Sequence, residues 1–90
     1  MPTVQLLIKG KVQGVFYRQT AKEKAETAGI TGWVRNTDDG DVEITASGSE
    51  KALQAYIDWC HLGPSRAVVH EVKVSPMPDQ LFERFEVRRG

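Results

Sequence analysis

The sequence predicts an α+β sandwich, an antiparallel sheet with two helices on one face. Three observations predict it. Segments of period-two hydrophobicity recur along the chain, two stretches switch to helical spacing, and turn residues stand between them. Read in order, they give βαββαβ with a short extra strand at the C-terminal end.

The first strand covers about residues 3–9, where Val4, Leu6 and Ile8 alternate with Thr3, Gln5 and Lys9, apart from the apolar Leu7. A loop with Gly10 and Gly14 follows. From about Arg18 to Ala28 the spacing is helical: Ala21, Ala25 and Ala28 share one side, and Lys22, Glu23 and Glu26 are left to solvent. Gly29 is a good terminator for this helix. The second strand spans about residues 31–37 around the β-favouring Trp33 and Val34. Asp38-Asp39-Gly40 is a hairpin turn signal. It leads to a third strand at about 41–47, with Val42, Ile44 and Ala46 on one face. Ser49 predicts the N-cap of a second helix reaching about His61, with Leu53, Tyr56, Ile57 and Cys60 as its apolar stripe. Gly63-Pro64 ends that helix. Val68, His70, Val72 and Val74 alternate along a fourth strand, which Pro76 and Pro78 are expected to break. A fifth strand, about residues 82–88, carries Phe85 and Val87 on one face.

This order is the ferredoxin-like arrangement. Its split βαβ topology makes strands one and two parallel, with strand three between them. Their C-terminal ends then lie at the same end of the sheet. The loop Lys11–Arg18 and Asn36 become neighbours, although Asn36 is 18 positions beyond Arg18.

The bulk composition narrows the function. Ninety residues suit one domain, 1–90. Twelve basic and twelve acidic side chains balance, which argues against a general nucleic-acid or membrane-surface binder. No apolar run reaches the roughly 18 residues of a membrane span, and the N-terminal segment does not read as a signal peptide. A single cysteine, Cys60, forms no internal disulfide and suggests a reducing, cytoplasmic setting. A monomer is expected.

The loop between the first strand and the first helix carries the chemistry. A phosphate needs several donors converging on one point. Successive N–H groups in a curved loop supply them, and a helix N-terminus adds a favourable dipole. Gly14 lets the backbone curl with no side chain in the way. Arg18 adds a fixed charge and a planar fork suited to phosphate oxygens. The segment lacks the Gly-Lys-Ser/Thr ending of a nucleotide-binding P-loop and is not a dinucleotide fingerprint. By spacing alone it is either an anion cradle or an ordinary strand–helix connection with a surface arginine.

Two segments together are more specific. Gly10-x-Val12-Gln13-Gly14-Val15-x-Tyr17-Arg18 resembles the first signature of the acylphosphatases, and Gly32-Trp33-Val34-Arg35-Asn36-Thr37-Asp38-Asp39-Gly40-Asp41-Val42 resembles the second. Their order and separation fit, and Phe85-Glu86-Val87-Arg88 is similar to the family's final strand. The resemblance covers nearly the whole chain and implies the same ferredoxin-like fold. It implies hydrolysis of small acyl phosphates to a carboxylate and inorganic phosphate, without a metal or other cofactor. Inorganic phosphate would then be both product and competitive ligand. By match, Arg18 takes the position of the phosphate-binding arginine. The backbone of Gln13, Gly14, Val15, Phe16 and Tyr17, up to Arg18, forms the cradle. Asn36 takes the position of the water-orienting asparagine, and Thr37 would brace its amide. The chain ends in Gly90, where some relatives carry an aromatic residue.

Other residues have structural explanations. His61 and His70 do not make a metal motif by spacing, and His70 reads as a core or edge histidine. Cys60 reads as a packing residue. Asp38, Asp39 and Asp41 read as turn residues rather than metal ligands. Arg35 faces away from Asn36 if the strand alternates, so it reads as surface. Trp33 and Phe16 either pack near the site mouth or cover the sheet. Two non-enzymatic readings compete. An RNA-binding ferredoxin-like module would need aromatic residues on the central strands. Thr3, Gln5, Leu7 and Lys9 on strand one, and Asp41, Glu43 and Thr45 on strand three, offer none. A phosphate-sensing domain would have no need of a water-positioning amide.

Overall fold

The computed structural model describes residues 1–89, so Gly90 and any part it plays lie outside the described residues. The elements are β1 (Thr3–Lys11), α1 (Tyr17–Ala28), β2 (Thr31–Asn36), β3 (Val42–Ser47), α2 (Glu50–Leu62), β4 (Val68–Met77) and β5 (Phe85–Arg88). They form one five-stranded sheet in the order β4-β1-β3-β2-β5. β3 runs antiparallel to both β1 and β2, so β1 and β2 are parallel. β5 joins parallel to β2, and the sheet is therefore mixed.

The direction of β5 follows from its connection. The chain leaves β4 at one edge and crosses to the other before β5 begins. Side-chain and backbone hydrogen bonds pin that crossing at the end of the sheet where β1 starts. The Gln80 N–H donates to Thr3 Oγ1 at 3.0 Å, Thr3 Oγ1 lies 2.6 Å from Ser47 Oγ, and the Gly32 N–H donates to the Arg84 carbonyl at 3.0 Å. Both C-terminal ends of β1 and β2 are left free at the opposite end.

Alternation sets the two faces. Leu6 and Ile8 of β1, Val34 of β2, and Val42, Ile44 and Ala46 of β3 all have no exposed surface. They meet Leu53, Tyr56 and Cys60 of α2, and Ala21 and Ala25 of α1. The alanines let α1 lie close to the sheet. Each large apolar side chain buried this way contributes about 1.5–3 kcal/mol. On the other face the polar residues pair with one another. Lys9 Nζ lies 2.9 Å from Asp41 Oδ2, Arg35 Nη2 lies 2.7 Å from Glu43 Oε1, and Gln5 also reaches Glu43. The Arg88 guanidinium sits 4.7 Å from the centre of the Trp33 ring. Trp33 therefore covers the sheet and does not face the loop.

β4 departs from the expected pattern in two ways. The register shifts between Lys9 and Gly10: Lys9 opposes Glu71, but Gly10 opposes Val69, leaving His70 unpaired. This bulge reverses the alternation. Val69 packs on the core, and His70 is exposed. Gly10 is what the bulge requires, because its φ is +137° and a Cβ there would collide with the Val68 carbonyl. Pro76 does not break the strand; it lies inside it, opposite Val4. β4 is an edge strand, where a residue without an N–H is tolerated. No helix among the described residues is long and apolar enough to cross a membrane.

Candidate active site

The loop after β1 is held from below and open from above. Val12, Val15 and Tyr17 are buried, while Gly14 and Phe16 are exposed. Tyr17 goes deepest: its hydroxyl donates to the Cys60 carbonyl at 2.7 Å, and its ring lies 5.4 Å from that of Trp59. Gln13 ties the loop sideways. Its Nε2 donates to the Thr37 carbonyl and to the Asp41 carbonyl, both at 2.8 Å. One side chain thus fastens the loop to the hairpin that follows Asn36.

Between these anchors the backbone curls. Gly14 has φ +75°, and Phe16 has φ +64°, the only positive φ outside glycine among the described residues. For a bulky residue this left-handed conformation costs roughly 1–2 kcal/mol. The curl leaves donors without partners. Among the described residues, none of the seven backbone N–H groups from Gln13 to Gln19 donates a hydrogen bond. The first amide to find a carbonyl is that of Thr20, which donates to Phe16 at 3.1 Å. Phe16 is the N-cap of α1 but gives no side-chain cap, and the first turn contains no acidic residue. Consecutive unpartnered amides at the positive end of a helix make an anion-binding concavity.

Arg18, the second residue of α1, reaches from this loop toward β5, where its Nη1 donates to the Arg88 carbonyl at 3.2 Å. Asn36 is the last residue of β2, and its neighbour across the sheet is Val42, which also opposes Ile8 of β1. It lies two residues beyond the fully buried Val34 and so shares that residue's face of the sheet, toward the helices. Arg35 is on the other face with Glu43, as the alternation requires. Val12, Gly14, Phe16, Tyr17, Arg18, Gln19, Asn36 and Val87 line one pocket of about 220 Å³. The topology thus brings the loop, Arg18 and Asn36 together.

Thr37 is placed differently from expectation. Its hydroxyl accepts from the Asp41 N–H at 3.1 Å and also faces the Asp41 carbonyl at 3.4 Å. It closes the hairpin and makes no hydrogen bond to the Asn36 amide. Asp41 turns its carboxylate to Lys9, and that pairing raises the Lys9 pKa. No group of three or more His, Cys, Asp or Glu side chains among the described residues is arranged to hold a metal ion. Cys60 is fully buried, and burial pushes its thiol up to about 12. Burial likewise raises Tyr17. Neither is ionised near neutral pH. The sequence reading missed three features: the side chain of Gln13, and Gln19 and Val87 as lining residues. Gln13 bonds to backbone carbonyls, so no residue type at positions 37 and 41 signals its partners.

Known proteins share both the sequence and the shape of this chain. The model of the acylphosphatase family matches residues 4–87. An acylphosphatase of Marinobacter nauticus is 55% identical over 73 residues, covering 81% of this chain and 79% of that protein. One from an Acidovorax species is 49% identical over 86 residues, covering 96% and 89%. The solved structure of an acylphosphatase from Coxiella burnetii superposes with a TM-score of 0.94 at 36% identity, over 97% of this chain and 92% of that one.

Proposed function

This chain belongs to the acylphosphatase family and is a hydrolase, and from that premise we propose how its pocket cleaves the carboxyl–phosphate bond. The phosphoryl group of a small acyl phosphate sits in the loop, held by the amides of Gln13, Gly14, Val15, Phe16 and Tyr17 and by the Arg18 guanidinium. The observation that carries this reading is the run of unpartnered amides opening on the same pocket as Arg18 and Asn36.

The chemistry needs few groups. A carboxylate is a good leaving group, so no strong general acid is required. What remains is to support charge on the equatorial oxygens and to place a water in line. Preorganised donors do the first, and losing one typically costs about 3–4 kcal/mol of transition-state stabilisation. Asn36 does the second. It is neutral and is no base, but its carbonyl oxygen accepts a hydrogen bond from the water and sets its direction. The water oxygen forms a bond to phosphorus as the bond to the acyl oxygen breaks. That electron pair leaves on the carboxylate, and the water's proton passes to a phosphoryl oxygen. Thr37 supports Asn36 indirectly, by closing the hairpin at Asp41.

Asn36→Ala tests the division of labour. It is expected to abolish turnover of benzoyl phosphate while leaving inorganic phosphate binding, followed by titration, largely intact. Wild-type turnover in that variant would overturn the assignment. A rise in wild-type turnover tracking an enzyme group with a pKa near 6–7 would overturn the proton transfer to substrate.

A further inference from the structure

We propose that Tyr17 is a positioning residue for the phosphate cradle: its buried hydroxyl, bound to the Cys60 carbonyl, pins the strained turn at Phe16 in its anion-binding form. This rests on the acylphosphatase reading and adds to the site a side-chain bond made beneath it, inside the core.

The first observation is a carbonyl in need of a donor. Cys60 lies in the last turn of α2, where helix carbonyls have no amide within the helix to serve them. The N–H four residues on is missing altogether, because residue 64 is proline. Gly63 ends the helix, and its N–H goes to the Trp59 carbonyl instead. The Tyr17 hydroxyl serves the Cys60 carbonyl at 2.7 Å. The first residue of α1 thus completes the last turn of α2.

The second observation is how firmly Tyr17 is seated. It is fully buried, and its ring lies 5.4 Å from that of Trp59. On another side is Gly63, where a Cβ would stand only 2.9 Å from the Tyr17 ring. Burial raises the Tyr17 pKa, so the hydroxyl keeps its proton and remains a donor.

The third observation is what Phe16 lacks. Its φ is +64°, yet its side chain is 71% exposed, so no packing of its own holds the left-handed turn. Such strain persists only where the surroundings over-determine it. The flanking side chains, Val15 and Tyr17, are both buried, and of the two only Tyr17 makes a directional bond. The strain and the net worth of one hydrogen bond are of similar size. Without the hydroxyl the cradle becomes a partly populated conformation, and an anion must first select it.

Tyr56 supplies an internal control. Its hydroxyl is also buried and also donates to a helix carbonyl, that of Ala21, at 2.9 Å. Ala21 lies one turn beyond the cradle, and helical spacing offers its carbonyl the Ala25 N–H as well.

Benzoyl phosphate kinetics and titration with inorganic phosphate test this on the intact protein. While the protein is largely folded, KM and the phosphate Kd do not depend on its stability, so they separate position from folding. Tyr17→Phe keeps the ring and removes the hydroxyl. It is expected to raise KM and the phosphate Kd together by about fivefold, the equilibrium weight of one hydrogen bond. Tyr56→Phe should lower the urea midpoint by a comparable amount and leave both constants within about twofold of wild type. Phe16→Asn brings a residue that tolerates the left-handed conformation. In that background the strain is relieved, and adding Tyr17→Phe should move the phosphate Kd by less than about twofold. The pin is overturned if Tyr17→Phe lowers the urea midpoint with both constants unmoved. It is equally overturned if Tyr56→Phe raises them as much, or if the fivefold loss persists beside Phe16→Asn. If the wild type binds phosphate but hydrolyses no benzoyl phosphate, the acylphosphatase reading fails, and the phosphate Kd alone decides the pin.

Discussion

The two helices of this protein begin in opposite ways. α2 starts as a stable helix should. Ser49 is extended, with φ −63° and ψ 155°, and its hydroxyl accepts from the Ala52 N–H at 3.2 Å. Glu50 adds a negative charge to the positive end of the dipole. α1 does none of this. It starts at a strained Phe16, has no side-chain cap and no acid in its first turn, and places the cation Arg18 at the end where a cation is least welcome. One chain thus holds a finished helix end and an unfinished one. The difference teaches that the α1 end is not merely weak. An end with no cap, no acid and a nearby cation is what the proposed phosphate site requires.

Arg18→Ala tests the comparison most severely. With the pre-set cation gone, kcat/KM is expected to fall about a thousandfold, and competition by inorganic phosphate should be lost. Stability should stay within about 0.5 kcal/mol of wild type, because the variant removes an unfavourable charge from a helix N-terminus and one exposed hydrogen bond. Steady-state kinetics and urea unfolding check both halves. A comparable loss of stability would mean that Arg18 serves the fold.

Phe16→Asp makes the α1 end resemble the α2 end. Asp tolerates positive φ better than Phe and brings a negative charge to the dipole. The folded state should hold or gain up to about 1 kcal/mol. The same charge repels the phosphoryl group, and kcat/KM should drop about a hundredfold. A variant that is stabilised and still active would show that the uncapped end is not the anion site.

How much of this was readable in the sequence depends on what each residue bonds to. Apolar side chains recur at spacings that announce their faces, so Val4, Leu6 and Ile8, or Val42, Ile44 and Ala46, mark their strands openly. The topology that follows from them was enough to set Asn36 beside the Arg18 loop. The bulge at Gly10 was not legible, because one unpaired residue, His70, reverses the pattern that the reading relies on. The direction of β5 was not legible either, since four residues carry no sign of which edge they will find. The contacts that trim the site were the least visible. Gln13 to Thr37 and Asp41, and Arg18 to Arg88, all end on backbone carbonyls, which every residue offers alike.

Gln13 links the open α1 end to the hairpin that follows Asn36, and Gln13→Glu probes that link. A carboxylate there would face the two carbonyl oxygens that the amide now serves, with no proton to donate. At neutral pH, turnover is expected to fall about tenfold, through kcat more than through KM, as the water-orienting strand drifts from the loop. Facing two acceptors raises the carboxyl pKa, because only the protonated form can donate to them. Acidification should therefore restore turnover in the variant, relative to wild type at the same pH. A flat ratio between the two profiles would show that Gln13 only stabilises the loop.

The smallest effect is expected at the finished end. Ser49→Ala leaves the Ala52 N–H without its acceptor and should cost about 1 kcal/mol, seen as a lower urea midpoint with an unchanged slope. Activity per folded molecule should not change, since α2 starts from the end of β3 opposite Val42, the residue that neighbours Asn36. Adding inorganic phosphate separates the two ends in one measurement. At about a hundred times its Kd, a ligand bound only to the folded state adds about 2.7 kcal/mol. That increment should appear in full in wild type and in Ser49→Ala, and vanish in Arg18→Ala. If Ser49→Ala also lost it, the two helix ends would be coupled, and the contrast between them would be one of degree.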